Sequence, residues 1–262
     1  MRNMQNHFSK IAPKYRELRT TDIEPILYIK DITKDLPEII GADVGCGTGR
    51  YSLKLFEHLG SKLRLYCIDY NEEMLKQLSE YFSLNNVKKF KIMRARASEL
   101  PLENNSLNCI FAFNAIHHFN FTQFLTECSR VLKDKGCLFI YTRLRSQNRS
   151  NIWGKFFPYF IEKENRLYEL EELKDILNQF SDLEIHSIRF FRFKRISDFN
   201  KLLEKARNCH YSTFYLYEED ELEKSIQIFK QKLSEHFGDL NKIHWFDEYT
   251  LLVVQKQGEF FV

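Results

Sequence analysis

The stretch "ADVGCGTGR", residues 42–50, sets three glycines at alternate positions, Gly45, Gly47 and Gly49, directly after an apolar run. Several kinds of glycine loop compete for such a pattern, and spacing separates them. A phosphate-binding P-loop needs GxxxxGK[ST]. Here the position that should hold its second glycine is Arg50, and no Lys-Ser or Lys-Thr follows. The dinucleotide fingerprint GxGxxG puts its third glycine where the next helix must pack tightly on the strand. Counted from Gly45 that place is again Arg50, whose long side chain obstructs the packing, so a nicotinamide or flavin dinucleotide is disfavoured. What remains is DxGxGxG, from Asp43 to Gly49. Glycines at 45 and 47 leave an open turn without a Cβ, against which an adenosine carrying a bulky sulfonium can lie. Asp69 ends the next apolar run, where a carboxylate can accept hydrogen bonds from both ribose hydroxyls. An acid at that distance suits a nicotinamide dinucleotide as well.

Outward from this loop the chain alternates short β-branched or apolar runs with helix-period segments. "EIIGADV", "LRLYCID", "KFKIMRA", "LNCIFAFN" and "GCLFIYTR" read as five strands within residues 37–143. "RYSLKLFEHLG", "NEEMLKQLSEYF" (capped by Asn71) and "TQFLTECSRVLK" read as helices between them. Right-handed crossovers then predict an α/β, doubly wound, Rossmann-like sheet. Farther on, "RLYELEELKDILNQF" is an amphipathic helix, while "LEIHSIRFFRF" and "HWFDEYTLLVVQK" are two more strands. Between these strands lie the helical patterns "SDFNKLLEKARN" and "EEDELEKSIQIFKQKLSEHF". So long an insertion predicts a functional helical cap over residues 194–243. Helical segments also precede the first strand, within residues 1–36. The expectation is one domain over residues 1–262, with its cofactor core at 37–143.

Composition narrows the class. The chain has 262 residues, 44% hydrophobic and 29% charged, enough for a large α/β domain with a full core. It contains no run of about 18 apolar residues and no apolar N-terminal stretch resembling a signal peptide. We therefore expect a cytoplasmic protein with no membrane span. A formal charge of +3 is too mild to identify a nucleic-acid binder. Six cysteines, at 46, 67, 109, 128, 137 and 209, form neither a CxxC pair nor a His/Cys cluster, which predicts reduced thiols and no metal site.

Five segments in order resemble one family. "HFSKIAPKYRELR", "ADVGCGTGR", "IDYNEEML", "ASELPLENNSLNCIFAFNAIHHF" and "ECSRVLKDKGCLF" look like class I S-adenosylmethionine-dependent methyltransferases. Within that class they are similar to the small-molecule branch of ubiquinone and menaquinone biosynthesis. The resemblance runs over about residues 8–143, and the last two strands fit the family's seven-stranded sheet, mostly parallel with an antiparallel last strand. It implies S-adenosyl-L-methionine as cofactor and S-adenosyl-L-homocysteine as product. It further implies Gly45, Cys46, Gly47 and Gly49 in the cofactor loop, with Asp43 supporting it. Asp69 would meet the ribose, Tyr70 and Met74 the adenine, and Ala97 and Ser98 the adenine edge. Asn114, Tyr15 and Arg19 would approach the methionine end. One position departs from the pattern: where the branch carries an aspartate for the adenine amino group stands Arg96, which has no acceptor.

In-line methyl transfer requires a positioned nucleophile and exclusion of water, not a metal. His117 and His118 follow the fourth strand at the carboxyl edge, where open α/β sheets bind ligands. Either could act as a general base, His118 ahead of His117, or both could merely shape the loop. "TRLRSQNRSNIWGKFF" gathers Arg143, Arg145, Arg149 and Lys155 around Trp153, which suits an anionic group or phosphates with a stacked base, or simply a solvated loop. "KARNCHYSTFYLY" resembles a variable lid, although packing explains its aromatics equally well. The leading expectation is an enzyme methylating oxygen or carbon of a small molecule. An RNA-modifying methyltransferase is the alternative, disfavoured because "FNAIHH" stands where an "NPPY"-like run belongs. A non-catalytic cofactor-binding protein is the other, motivated by Arg96.

Overall fold

A computed structural model describes residues 4–258; the first three residues of the expected N-terminal helical segment lie outside the described residues. Its strands are β1 Ile39–Val44, β2 Leu63–Asp69, β3 Phe90–Arg94, β4 Leu107–Phe113, β5 Leu132–Thr142, β6 Leu183–Ser197 and β7 Ile243–Lys256. They form one sheet in the order β3-β2-β1-β4-β5-β7-β6. Parallel pairs join β1 to β2 and β4, β2 to β3, and β4 to β5, while β7 runs antiparallel to β5. This is the doubly wound, mostly parallel sheet that the alternation predicts. The helical insertion is present too: helices Phe199–Arg207 and Glu219–Phe237 lie between β6 and β7.

Burial explains the strand sequences. β1 is buried at all but one position, as a central parallel strand covered on both faces must be, so it reads as a continuous apolar run. Helix Arg50–Leu59 starts after Gly49 and stops at Gly60. Helix Glu72–Leu84 is capped by Asn71, whose side chain accepts the Met74 N–H at 3.1 Å. One boundary differs from expectation. β5 begins at Leu132, ahead of the run "GCLFIYTR", because its pairing with β4 shifts register between Leu107 and Cys109. Lys135 adopts a left-handed φ of 61° at this irregularity. A Cβ on Gly136 would stand 2.8 Å from the Lys133 carbonyl, so only glycine passes.

The chain divides into two compact units. The larger holds Thr21–Thr142, Leu170–Phe191 and the C-terminal residues from Thr250; the smaller holds the N-terminal residues through Thr20, Arg143–Glu169 and Arg192–Tyr249. Residues 194–243, read from sequence as a cap, fall inside the smaller unit. Its core is aromatic, built from Trp153, Phe157, Phe160, Phe214 and Phe229 with Leu202 and Ile226. The larger unit is packed around β1, β4 and β5, whose Ile39, Ile110, Phe111, Leu138 and Phe139 are fully buried.

Candidate functional site

In the larger unit β1 has β2 on one side and β4 on the other, so connections leave it in opposite directions at its carboxyl end. Open α/β sheets bind ligands at such a switch point. The loop after β1 is fixed there by backbone bonds: the Gly45 and Cys46 N–H groups donate to the Ile68 carbonyl at 2.8 and 3.1 Å, and the Gly49 N–H donates to the Cys46 carbonyl at 3.0 Å. All three loop glycines have positive φ, between 54° and 80°, which strains any other residue. Gly45 and Gly49 also meet close neighbours. A Cβ on Gly45 would stand 2.6 Å from Ala115 Cβ and 2.9 Å from the Phe119 ring, and one on Gly49 would stand 2.9 Å from Leu78 and Phe82. Gly49 is thus demanded by packing against helix Glu72–Leu84.

Asp69 is the anchor of the loop. Its Oδ2 accepts the Gly47 N–H at 2.9 Å and its Oδ1 the Asn71 N–H at 2.8 Å. A carboxylate offers about four acceptor positions, so Asp69 retains acceptor capacity for a ribose hydroxyl. Burial raises the Asp69 pKa, opposed by the N–H groups of Asn71, Gly47 and Tyr70. Asp43 is almost fully buried. Its Oδ2 accepts Ser52 Oγ–H at 2.5 Å, while Oδ1 has no partner among the described residues. Burial pushes its carboxyl up to about 7, with Ser52 opposing and Asp69 adding to the rise. Burial likewise pushes the Cys46 thiol up, beside Cys67, Asp69 and Asp43; a thiol held neutral is no nucleophile.

Around this loop stand the remaining residues expected in the larger unit. Met74 is buried on its helix. Ala97 and Ser98 form a half-buried turn after β3, and the neighbouring Ala95 N–H donates to the Asp69 carbonyl at 3.2 Å. Asn114 is left-handed, with φ 53°, and its N–H donates to the Tyr141 carbonyl at 2.7 Å. His117 and His118 occupy a 3-10 turn, Ile116–His118, with ring centroids 4.1 Å apart. His118 is exposed and His117 half-buried. The turn is flanked by the Ala115 and Phe119 that back Gly45, which ties the histidines to the loop.

Arg96 is exposed and covers Tyr70. Its guanidinium lies 4.6 Å from the ring centroid, and Nη2 donates to the tyrosine hydroxyl at 3.2 Å. Arg94 flanks the same ring at 5.6 Å. The residue that breaks the family pattern therefore serves as a partner of an expected adenine neighbour.

Comparison with known proteins finds methyltransferases similar to part of the chain. Residues 42–140 match the family model described as a methyltransferase domain. Over 141 residues the chain is 30% identical to an uncharacterized chloroplastic methyltransferase of Arabidopsis thaliana, covering 51% of this chain and 39% of that protein. Over 136 residues it is 32% identical to a demethylmenaquinone methyltransferase of Staphylococcus aureus, covering 49% and 55%. Residues 42–140 are similar to a methyltransferase domain. The YcgJ protein of Bacillus subtilis shares the fold of this chain, with a TM-score of 0.62 at 15% identity, covering 90% of this chain and 99% of that one. The chain spans about half the length of the curated relatives it matches.

The donor set of the methyltransferase domain fits S-adenosylmethionine. Asp69 has spare lone pairs, the glycines leave the turn bare, and the orphaned, buried Asp43 Oδ1 calls for a donor that a cation-bearing ligand can supply. Two expected cofactor residues belong to the smaller unit. There the Arg19 guanidinium lies 5.2 Å from the Tyr15 ring and 4.6 Å from Tyr211.

The stretch after β5 requires a correction. Read from sequence as a loop, it folds into short helices Arg145–Ser150 and Ile152–Phe156. Trp153 is buried and stacked on Phe229 at 5.1 Å, so it offers no face to a nucleic-acid base. Arg143 is buried and paired with Asp247 at 2.9 Å. Sequence reasoning missed Phe119 and the backbone N–H of Asn71. Phe119 sits in the quoted "IHHF", but nothing local connects it to Gly45.

No helix among the described residues is long and apolar enough to cross a membrane. No cluster of metal-binding side chains occurs among them either.

Proposed function

We propose that this chain is an enzyme that transfers the methyl group of S-adenosylmethionine to an oxygen or carbon of a small molecule. The observation that carries the reading is Asp69, pinned by Gly47 and Asn71 at the switch point with acceptor capacity to spare. The cofactor, when bound, supplies a methyl group on a positively charged sulfur. Asp69 holds the ribose, Gly45, Cys46 and Gly47 bear the methionine side, and Tyr70, Met74, Ala97 and Ser98 border the adenine. Asn114 is assigned to the methionine end. The cofactor would supply that methyl as an electrophile to the acceptor and would leave as S-adenosylhomocysteine. The acceptor's proton passes to an imidazole, for which the exposed His118 is the first candidate and His117 the second.

Relatives named demethylmenaquinone methyltransferase support a small-molecule acceptor. The burial of Trp153 and the pairing of Arg143 remove two residues on which the RNA reading relied. Six free thiols fit a reducing, cytoplasmic setting. The test is transfer of labelled methyl into the small-molecule and RNA fractions of a host extract, followed by mass spectrometry. Label in a small molecule, lost in His118→Ala with cofactor binding intact, is the expected result. Label in RNA overturns the acceptor class, and cofactor binding without any transfer overturns the enzyme.

A further inference from the structure

Parallel strands are joined by crossovers that usually contain a helix. Residues 95–106, which lead from β3 to β4 within the larger unit, contain none. Without helical bonds their backbone polar groups need partners elsewhere. One ion pair on helix Phe121–Val131 supplies several of them. Glu127 Oε2 accepts the Leu100 N–H at 2.6 Å. Arg130 Nη2 donates to the Leu100 carbonyl at 2.9 Å, and Nη1 donates to the Leu102 carbonyl at 2.7 Å and to Asn104 Oδ1 at 2.9 Å. The pair itself is closed by Arg130 Nε to Glu127 Oε1 at 2.8 Å and Nη2 to Oε2 at 2.7 Å. All the donors of the guanidinium fork are thereby engaged, by the loop or by the acid that aims them. The Arg130 guanidinium holds the Glu127 carboxyl below the usual carboxylate range, with burial opposing and the Leu100 N–H adding to the effect.

Stability alone is a poor account of so complete a grip. The Arg130 side chain is 32% exposed and the Glu127 side chain 14%, and ion pairs near the surface contribute little to folding. What the pair fixes is position. Upstream, β3 ends beside the end of β2, where Arg94 and Asp69 are register partners, and the Ala95 N–H donates to the Asp69 carbonyl at 3.2 Å. Downstream, the buried Leu100 is held at both its N–H and its carbonyl. Between these two anchors lies the Ala97–Ser98 turn, closed by the Glu99 N–H on the Arg96 carbonyl at 3.1 Å. The turn is therefore fixed at both ends, beside the acid that anchors the glycine loop.

We propose that Glu127 and Arg130 are positioning residues for the cofactor's base: together they clamp the Leu100 and Leu102 backbone and so hold the Ala97–Ser98 turn in place before the cofactor arrives. This rests on the reading of that turn as the border of the adenine, and adds the residues that set its place. Ordering a loop on binding costs affinity, and a preformed one avoids that cost. A turn that occupies its binding arrangement only about a tenth of the time raises the apparent Kd about tenfold.

The experiment compares the full-length wild type with Glu127→Ala and Arg130→Met. S-adenosylhomocysteine affinity is measured by calorimetry, stability by thermal melt, and amide hydrogen exchange with and without that ligand. Each variant should weaken binding by about tenfold or more while melting within a few degrees of wild type. In the ligand-free variants faster exchange should be confined to residues 95–104, and saturating ligand should restore the protection. A merely structural pair would lower the melt, raise exchange throughout and leave affinity unchanged. Should Arg130→Met melt far lower, Arg130→Lys, which keeps the charge but not the planar fork, makes the same comparison. Affinity within about twofold of wild type despite faster local exchange overturns the proposal, as does exchange in 95–104 that does not change. A wild type that binds neither S-adenosylmethionine nor S-adenosylhomocysteine sinks the cofactor reading and the proposal with it, and that failure is visible before any variant is compared.

Discussion

Asp43 has one oxygen on Ser52 and the other without a partner, deep beneath the cofactor loop. Its folded pKa of about 7 lies above the ordinary 3.8. Between about pH 4 and about pH 7 the folded chain therefore holds a proton that the unfolded chain has released. Stability then falls as pH rises through that window, by on the order of 4 kcal/mol across it. Asp43→Asn should flatten this slope in urea melts of the ligand-free protein; an unchanged slope would assign it to other groups. A cationic ligand favours the carboxylate, so cofactor affinity of the wild type should rise with pH up to about 7. Tyr70 and Arg96 make a second case. A cation over an exposed ring contributes about 0.5–1 kcal/mol, so Arg96→Ala should weaken cofactor binding only two- to fivefold by calorimetry. Tyr70→Ala removes the adenine neighbour itself and should cost more. An Arg96→Ala protein that loses all binding would show that Arg96 holds the ligand directly.

At the scale of elements, helix Glu72–Leu84 separates stability from binding. The Asn71 side chain caps the helix, while its backbone N–H serves Asp69. Asn71→Ala should thus lower stability by about 1 kcal/mol in urea melts and leave cofactor affinity within about twofold, since the N–H is retained. A large loss of affinity would mean that the cap also sets the position of Asp69. Elements were readable from sequence wherever a period was long enough to be seen. The apolar runs of β1 and β4 and the stripe of Met74, Leu75, Leu78 and Phe82 announce themselves. The pieces Arg145–Ser150 and Ile152–Phe156 are too short for a helical period. Arg143 is buried only because Asp247, far along the chain, neutralises it, and no local pattern encodes such a partner. The same holds for Phe119 behind Gly45, and for Arg96, whose partner Tyr70 lies on the preceding strand's loop.

For the whole chain, charge and ligand linkage give opposite expectations for the two acceptor classes. Many of its arginines are already paired, Arg143 and Arg195 with Asp247, Arg166 with Glu164, Arg207 with Glu223 and Arg94 with Glu72. A formal charge of +3 leaves little for phosphates, whose contacts supply most non-specific nucleic-acid affinity and carry its salt dependence. A ligand that binds only the folded state stabilises it by about 2.7 kcal/mol at a hundredfold excess over Kd. In a chain of this size that is a rise of roughly 5–10 °C in melting temperature. S-adenosylmethionine at that excess should produce such a rise, S-adenosylhomocysteine a comparable one, and both should persist in 0.5 M salt because the contacts are hydrogen bonds within a buried loop. Total host RNA at near-physiological salt should leave the melt unmoved. A steep, salt-sensitive rise with RNA would instead place the acceptor among nucleic acids, since a +3 protein can acquire that affinity only through a basic face whose charges fold together.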